Sequence, residues 1–73
     1  MAKKRILAEV AGKVLRVEAP AGTTVANGDT ILLIECMKME IPLVAPAAGS
    51  IAEVHVAEGD NVAEGQAVAT LEN

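Results

Sequence analysis

Seventy-three residues hold one domain at most, with a thin core. Phe, Tyr and Trp are absent, so the core falls to Val, Ile, Leu and Ala; a net charge of -4 without aromatic stacking groups argues against nucleic acid as a partner. Cys36 is the only cysteine, which rules out an internal disulfide and suits a reducing compartment, and no apolar run reaches membrane-spanning length, so the chain reads as an acidic cytoplasmic module.

The first five residues contain Lys3, Lys4 and Arg5. A signal peptide also starts basic, but Glu9 ends the apolar stretch that follows, and residues 1–5 read instead as a disordered end. From residue 6 onward the pattern is β. In "KVLRVEA" Leu15, Val17 and Ala19 alternate with Arg16 and Glu18, the period of a half-buried strand. "NGD" at 27–29 marks a turn. Ile31–Ile34 is apolar on both faces, as in a strand covered on both sides. Next comes "IECMKMEIP", residues 34–42, which sets Lys38 between two methionines and two glutamates. Thioethers usually fill core gaps, and a lysine seldom joins them there. Pro42 and Pro46 argue against helix and for short or edge strands. Lys38 therefore reads as the tip of a hairpin over 37–42. In "SIAEVHV" Ala52, Val54 and Val56 alternate with Glu53 and His55, and "EGQ" at 64–66 is a further turn. His55, the sole histidine, falls on the polar face with no cysteine beside it, so it is not read as a metal ligand or a catalytic base.

The chain is written twice. Glycines at 12, 22 and 28 return at 49, 59 and 65, a constant shift of 37. Residues 6–36 slide onto 43–73 without a gap, matching Val17 with Val54, Val25 with Val62, Val14 with Ile51 and Glu35 with Glu72. Two copies of one turn-rich β unit predict a single all-β domain over 6–73, a small sandwich or flattened barrel with an internal pseudo-two-fold repeat. The Lys38 segment joins the copies, and its counterpart is the pair of chain ends. Asp60 is expected to cap its turn, with Thr23 at the matching position a weaker cap.

Of four lysines, Lys38 alone falls at a hairpin tip. A lysine amine is a nucleophile once deprotonated, and in water at neutral pH it is ordinarily an ammonium. Selective acylation therefore needs an enzyme that reads the hairpin and removes the proton. No nucleophile–base pair and no phosphate-binding loop stands in the chain, so it is not expected to be an enzyme.

"ECMKME" resembles the biotin attachment motif of the biotinyl/lipoyl attachment domains, and "AGKV", "AGSI" and "EGDNVAEGQ" are similar to that family's turn segments. The resemblance runs from Leu7 to Leu71. It implies a flattened β-barrel of two four-stranded antiparallel sheets. It implies that a biotin protein ligase attaches biotin to Lys38, with Glu35, Met37, Met39 and Glu40 framing the hairpin for recognition. The biotin arm would then carry a carboxyl group from a biotin carboxylase to a carboxyltransferase. The domain itself is expected to be monomeric. Lipoate on the same lysine is the runner-up, although lipoyl motifs usually set an acidic residue directly before it. An unmodified lipoyl-like binding module is a third reading. Cys36 departs from the usual Ala or Ser, and the gapless repeat leaves no room for the protruding "thumb" of some bacterial carriers.

Overall fold

A computed structural model of the chain describes residues 2–73. Among these residues every regular element is a strand: β1 (Lys3–Leu7), β2 (Gly12–Val17), β3 (Thr24–Val25), β4 (Thr30–Cys36), β5 (Met39–Val44), β6 (Gly49–Val54), β7 (Asn61–Val62) and β8 (Ala67–Glu72). They form two four-stranded sheets, ordered β1-β8-β6-β3 and β5-β4-β2-β7, and every pairing is antiparallel. A shift of 37 residues carries β2 onto β6 and β3 onto β7 residue for residue, and it carries one sheet order onto the other. The repeat in the sequence is thus a two-fold relation between sheets, each built from strands of both copies.

That relation makes β1 the counterpart of β5. Lys3, Lys4 and Arg5, expected within a disordered end over 1–5, instead pair with Glu72, Leu71 and Thr70. Backbone hydrogen bonds need no side-chain similarity, so the structural repeat begins earlier than the similarity of side chains. Met1 lies outside the described residues.

The core lies between the sheets. Ile6 and Leu43, Ala8 and Ala45, Val14 and Ile51, Val25 and Val62, Ile31 and Val68, Leu32 and Ala69, and Ile34 and Leu71 are all buried, and each pair is one repeat apart. Ala19 completes the set, and no polar side chain is buried among the described residues. The alternation read in "KVLRVEA" and "SIAEVHV" is interrupted. Pairing slips between Val14 and Arg16 and between Ile51 and Glu53, a bulge in each copy. Val14 and Ile51 therefore face the core before the bulge, and Leu15 and Ala52 are only half-buried. A strict two-residue period cannot anticipate an inserted residue.

Turns repeat as well, down to their caps. Asp29 Oδ2 accepts from Ala26 N–H at 2.8 Å, and one repeat later Gln66 Oε1 accepts from Ala63 N–H at 3.0 Å. Asp60 Oδ2 accepts from Ala57 N–H at 2.9 Å, the cap expected from the sequence. Its counterpart needs none: Pro20 stands where Ala57 does and has no N–H to satisfy, so Thr23 can replace an aspartate without loss.

With so thin a core, each aliphatic side chain carries much of the stability. A domain of this size is held by roughly 4–11 kcal/mol. Ile34→Ala and the symmetry-related Leu71→Ala should each lose about 2–5 kcal/mol. Urea unfolding should show comparable drops for the two, because both side chains are essentially fully buried.

Candidate functional site

β4 is an inner strand, flanked by β5 and β2, and its inward side chains Leu32 and Ile34 are shielded from solvent. From Leu32 with Leu43 onward β4 and β5 stay in register to the hairpin, through Ile34 with Ile41, Glu35 with Glu40 and Cys36 with Met39. That leaves two residues, Met37 and Lys38, to reverse the chain. Both have positive φ, 52° and 66°. Two consecutive positive φ values are the signature of the type I′ hairpin turn, which matches strand twist and prefers Asn-Gly or Asp-Gly. Met and Lys carry Cβ atoms there and are strained by about 1–2 kcal/mol apiece. Pairing below the turn imposes the strain, and its effect is to hold both side chains outward. Met37 is 90% exposed, Met39 is 65% exposed and Lys38 is exposed between them.

The hairpin's root is held close by Gly12. A Cβ there would collide with the Glu35 carbonyl oxygen and come within 2.7 Å of Ile34 Cγ2, so only glycine lets β2 lie this near β4. Gly49 has the same role beside Glu72, at the other end of the molecule. That other end is where the chain termini meet. Ala2 N–H donates to the Asn73 carbonyl at 2.8 Å, and Asn73 N–H returns a bond to Ala2 at 3.0 Å. β1 starts beside the termini, and the chain then crosses to β2, which starts beside the hairpin. The body is 36 Å long and 17 Å across, with Lys38 at one pole.

Side chains in one register row share a face. On the outer face below the turn the row runs Glu40, Glu35, Lys13, Asn61, all exposed. The row related by the repeat runs Lys3, Glu72, Ser50, Thr24. Glu72 thus faces a lysine where its counterpart Glu35 faces another glutamate. Like charges directly opposite disfavour pairing, so the fold gains nothing from Glu40. Lys3 and Lys4 lie in β1 and Lys13 in β2, so of the four lysines only Lys38 stands in a turn. Arg16 and Glu18, 3.9 Å apart, and the Glu53 carboxylate and His55 ring, 3.7 Å apart, lie away from the hairpin. His55 Nε2 lies 3.0 Å from Thr70 Oγ1, a surface contact between the residue after β6 and β8.

Sequence reading placed Lys38, Met37, Met39, Glu35 and Glu40 together, and they are neighbours here. It passed over Lys13, which shares the row of Glu35 and Glu40, and the part Gly12 plays at the hairpin root. Cys36 is half-buried and lies directly across from Met39.

Comparison with known proteins bears on this hairpin. Residues 4–71 match the sequence model of a family described as "Biotin-requiring enzyme". The chain is 38% identical over 66 residues to the biotinylated protein TB7.3 homolog of Mycobacterium leprae, covering 90% of this chain and 93% of that one. It is 40% identical over 65 residues to the biotin/lipoyl attachment protein of Bacillus subtilis, covering 89% of each. Its fold superposes on part of the urea carboxylase of Kluyveromyces lactis with a TM-score of 0.93 and 28% identity. That match takes in 99% of this chain and 6% of the carboxylase.

If the turn is strained as described, a residue pair suited to positive φ relieves it. Replacing Met37 by Asn together with Lys38 by Gly should raise unfolding stability by about 1–2 kcal/mol. Urea denaturation checks this, and an unchanged or lowered midpoint would refute the strain.

Proposed function

This chain belongs to the biotin/lipoyl attachment family, and from that premise we propose that it is a biotin carrier whose attachment point is Lys38. The single observation that supports Lys38 most is its position: it is the one lysine in a turn, held outward by positive φ at the pole of the body. Covalent attachment by an amide asks for a presented amine rather than a pocket, and the exposed tip meets that need. Biotin, once bound, supplies a ring nitrogen that accepts and releases a carboxyl group.

The chain's own residues do the presenting. Lys38 gives up a proton and offers Nζ to an activated carboxyl carbon, steps that fall to a biotin protein ligase. Met37 and Met39 give that ligase apolar surface on either side of the amine. Glu35 and Glu40 give it two adjacent carboxylates whose placement the fold does not require. After attachment, the lysine and biotin side chain together reach on the order of 15 Å from the backbone. Tethering replaces free diffusion between a biotin carboxylase and a carboxyltransferase by a search within that radius. A domain of this fold inside a carboxylase, as in the urea carboxylase match, agrees with such partners. The carrier would act in the cytoplasm and supply no catalytic residue of its own.

Lipoate is the second reading, favoured by the name of the Bacillus relative. The two thioethers beside Lys38 favour biotin over it.

Co-expression with a biotin ligase should add one biotinyl group, mapped by peptide mass spectrometry to Lys38 alone. A lipoyl mass, or label on Lys3, Lys4 or Lys13, would overturn the assignment. Lys38→Ala should lose all label and keep its β circular-dichroism spectrum. Glu40→Lys should raise stability by about 0.2–1 kcal/mol by removing the opposed carboxylates, and should slow labelling. A labelling rate equal to wild type would remove Glu40 from recognition.

A further inference from the structure

We propose that Met37 and Met39 form a reversible oxidation site that controls access to Lys38. These are the methionines among the described residues, and both are far out in solvent, at 90% and 65% exposure. Thioethers normally gain protection from packing, and here the positive-φ turn denies it to Met37 while the end of β5 denies it to Met39. The oxidant is hydrogen peroxide. A lone pair on Sδ attacks one peroxide oxygen, the S–O bond forms and the O–O bond breaks. Sulfur loses two electrons, and the departing hydroxide takes the proton from the transferred hydroxyl, leaving methionine sulfoxide and water. The product is polar and chiral, and methionine sulfoxide reductases restore the thioether.

Two such changes flank a single amine. Each replaces apolar surface by a strong hydrogen-bond acceptor, and Lys38 lies between the two in sequence. The apolar frame that a modifying enzyme would grip is removed while the fold is left intact, because neither methionine belongs to the buried core. Control of acylation rests on the Lys38 reading above; the oxidation site itself does not.

The experiment treats the full chain, and its Cys36→Ser variant to remove thiol chemistry, with excess hydrogen peroxide. Peptide mapping follows each methionine over time. Met37 should oxidise first and Met39 second, both within about threefold of the rate for free methionine. The oxidised chain should then be biotinylated by ligase at least about threefold more slowly, and sulfoxide reductase should restore the rate. A Met37→Leu, Met39→Leu chain should label at the same rate before and after peroxide. Protection of both methionines would overturn the site, and unchanged labelling of the oxidised chain would overturn the control. A chain that takes no biotin even before treatment would refute the Lys38 reading and the control with it, and the peptide map would still decide the oxidation site.

Discussion

The pairing of Thr30–Cys36 with Met39–Val44 is the interaction on which the hairpin depends. It continues to the last residue pair, Cys36 with Met39, and so leaves a reversal of two residues. A two-residue reversal between right-twisted strands favours the primed turns, and this one takes the form with positive φ on both members. Met37 and Lys38 are thus held in the left-handed region, and the direction of the Lys38 side chain is set by strands rather than by contacts of its own. Those strands are fixed in turn by Ile34, Leu32 and Leu43 in the core and by Gly12, which lets β2 close over the root.

Internal symmetry provides a comparison that most single domains lack. The same backbone frame occurs at both poles, so whatever differs between them is not demanded by the fold. At the far pole Ala2 and Asn73 are joined by two hydrogen bonds, and Lys3 faces Glu72. At the hairpin pole a strained turn bears two exposed thioethers, and Glu40 faces Glu35. Every one of these differences lowers stability or leaves it unimproved. Features that disfavour the fold at one pole and are missing from the other are not accounted for by stability.

The architecture was legible because it was written in glycines. Four of the six carry turns with positive φ and two permit close strand approach, so their spacing exposed the repeat even where other side chains had diverged. Lys38 was legible for the same reason, as the residue left between two copies. Strand β1 was not, since Lys3-Lys4-Arg5 and its counterpart Glu40-Ile41-Pro42 share no side-chain character and are alike only in backbone pairing. The bulges at Leu15 and Ala52 were hidden too, because one unpaired residue shifts the inward face without altering composition. The opposed carboxylates became visible only with the register: the hairpin expected over 37–42 put Glu40 in the connection, whereas the reversal is confined to Met37 and Lys38 and Glu40 pairs with Glu35 within β5.

Division of labour along the long axis follows from these energetics. The apolar stabilisation is concentrated between the sheets, in seven symmetric pairs and Ala19, and none of it involves Met37, Lys38 or Met39. Removing charge from the lysine or adding a bulky group to it leaves that core untouched. The converse also holds: strain of about 1–2 kcal/mol per turn residue is tolerable only because pairing below it is unbroken from Leu32 with Leu43 to Cys36 with Met39. A looser hairpin would relax the strain by letting the tip splay, and the amine would then sample many directions. A rigid root under a fully exposed tip confines the mobility to the side chain and whatever it carries, which is where a carrier needs it.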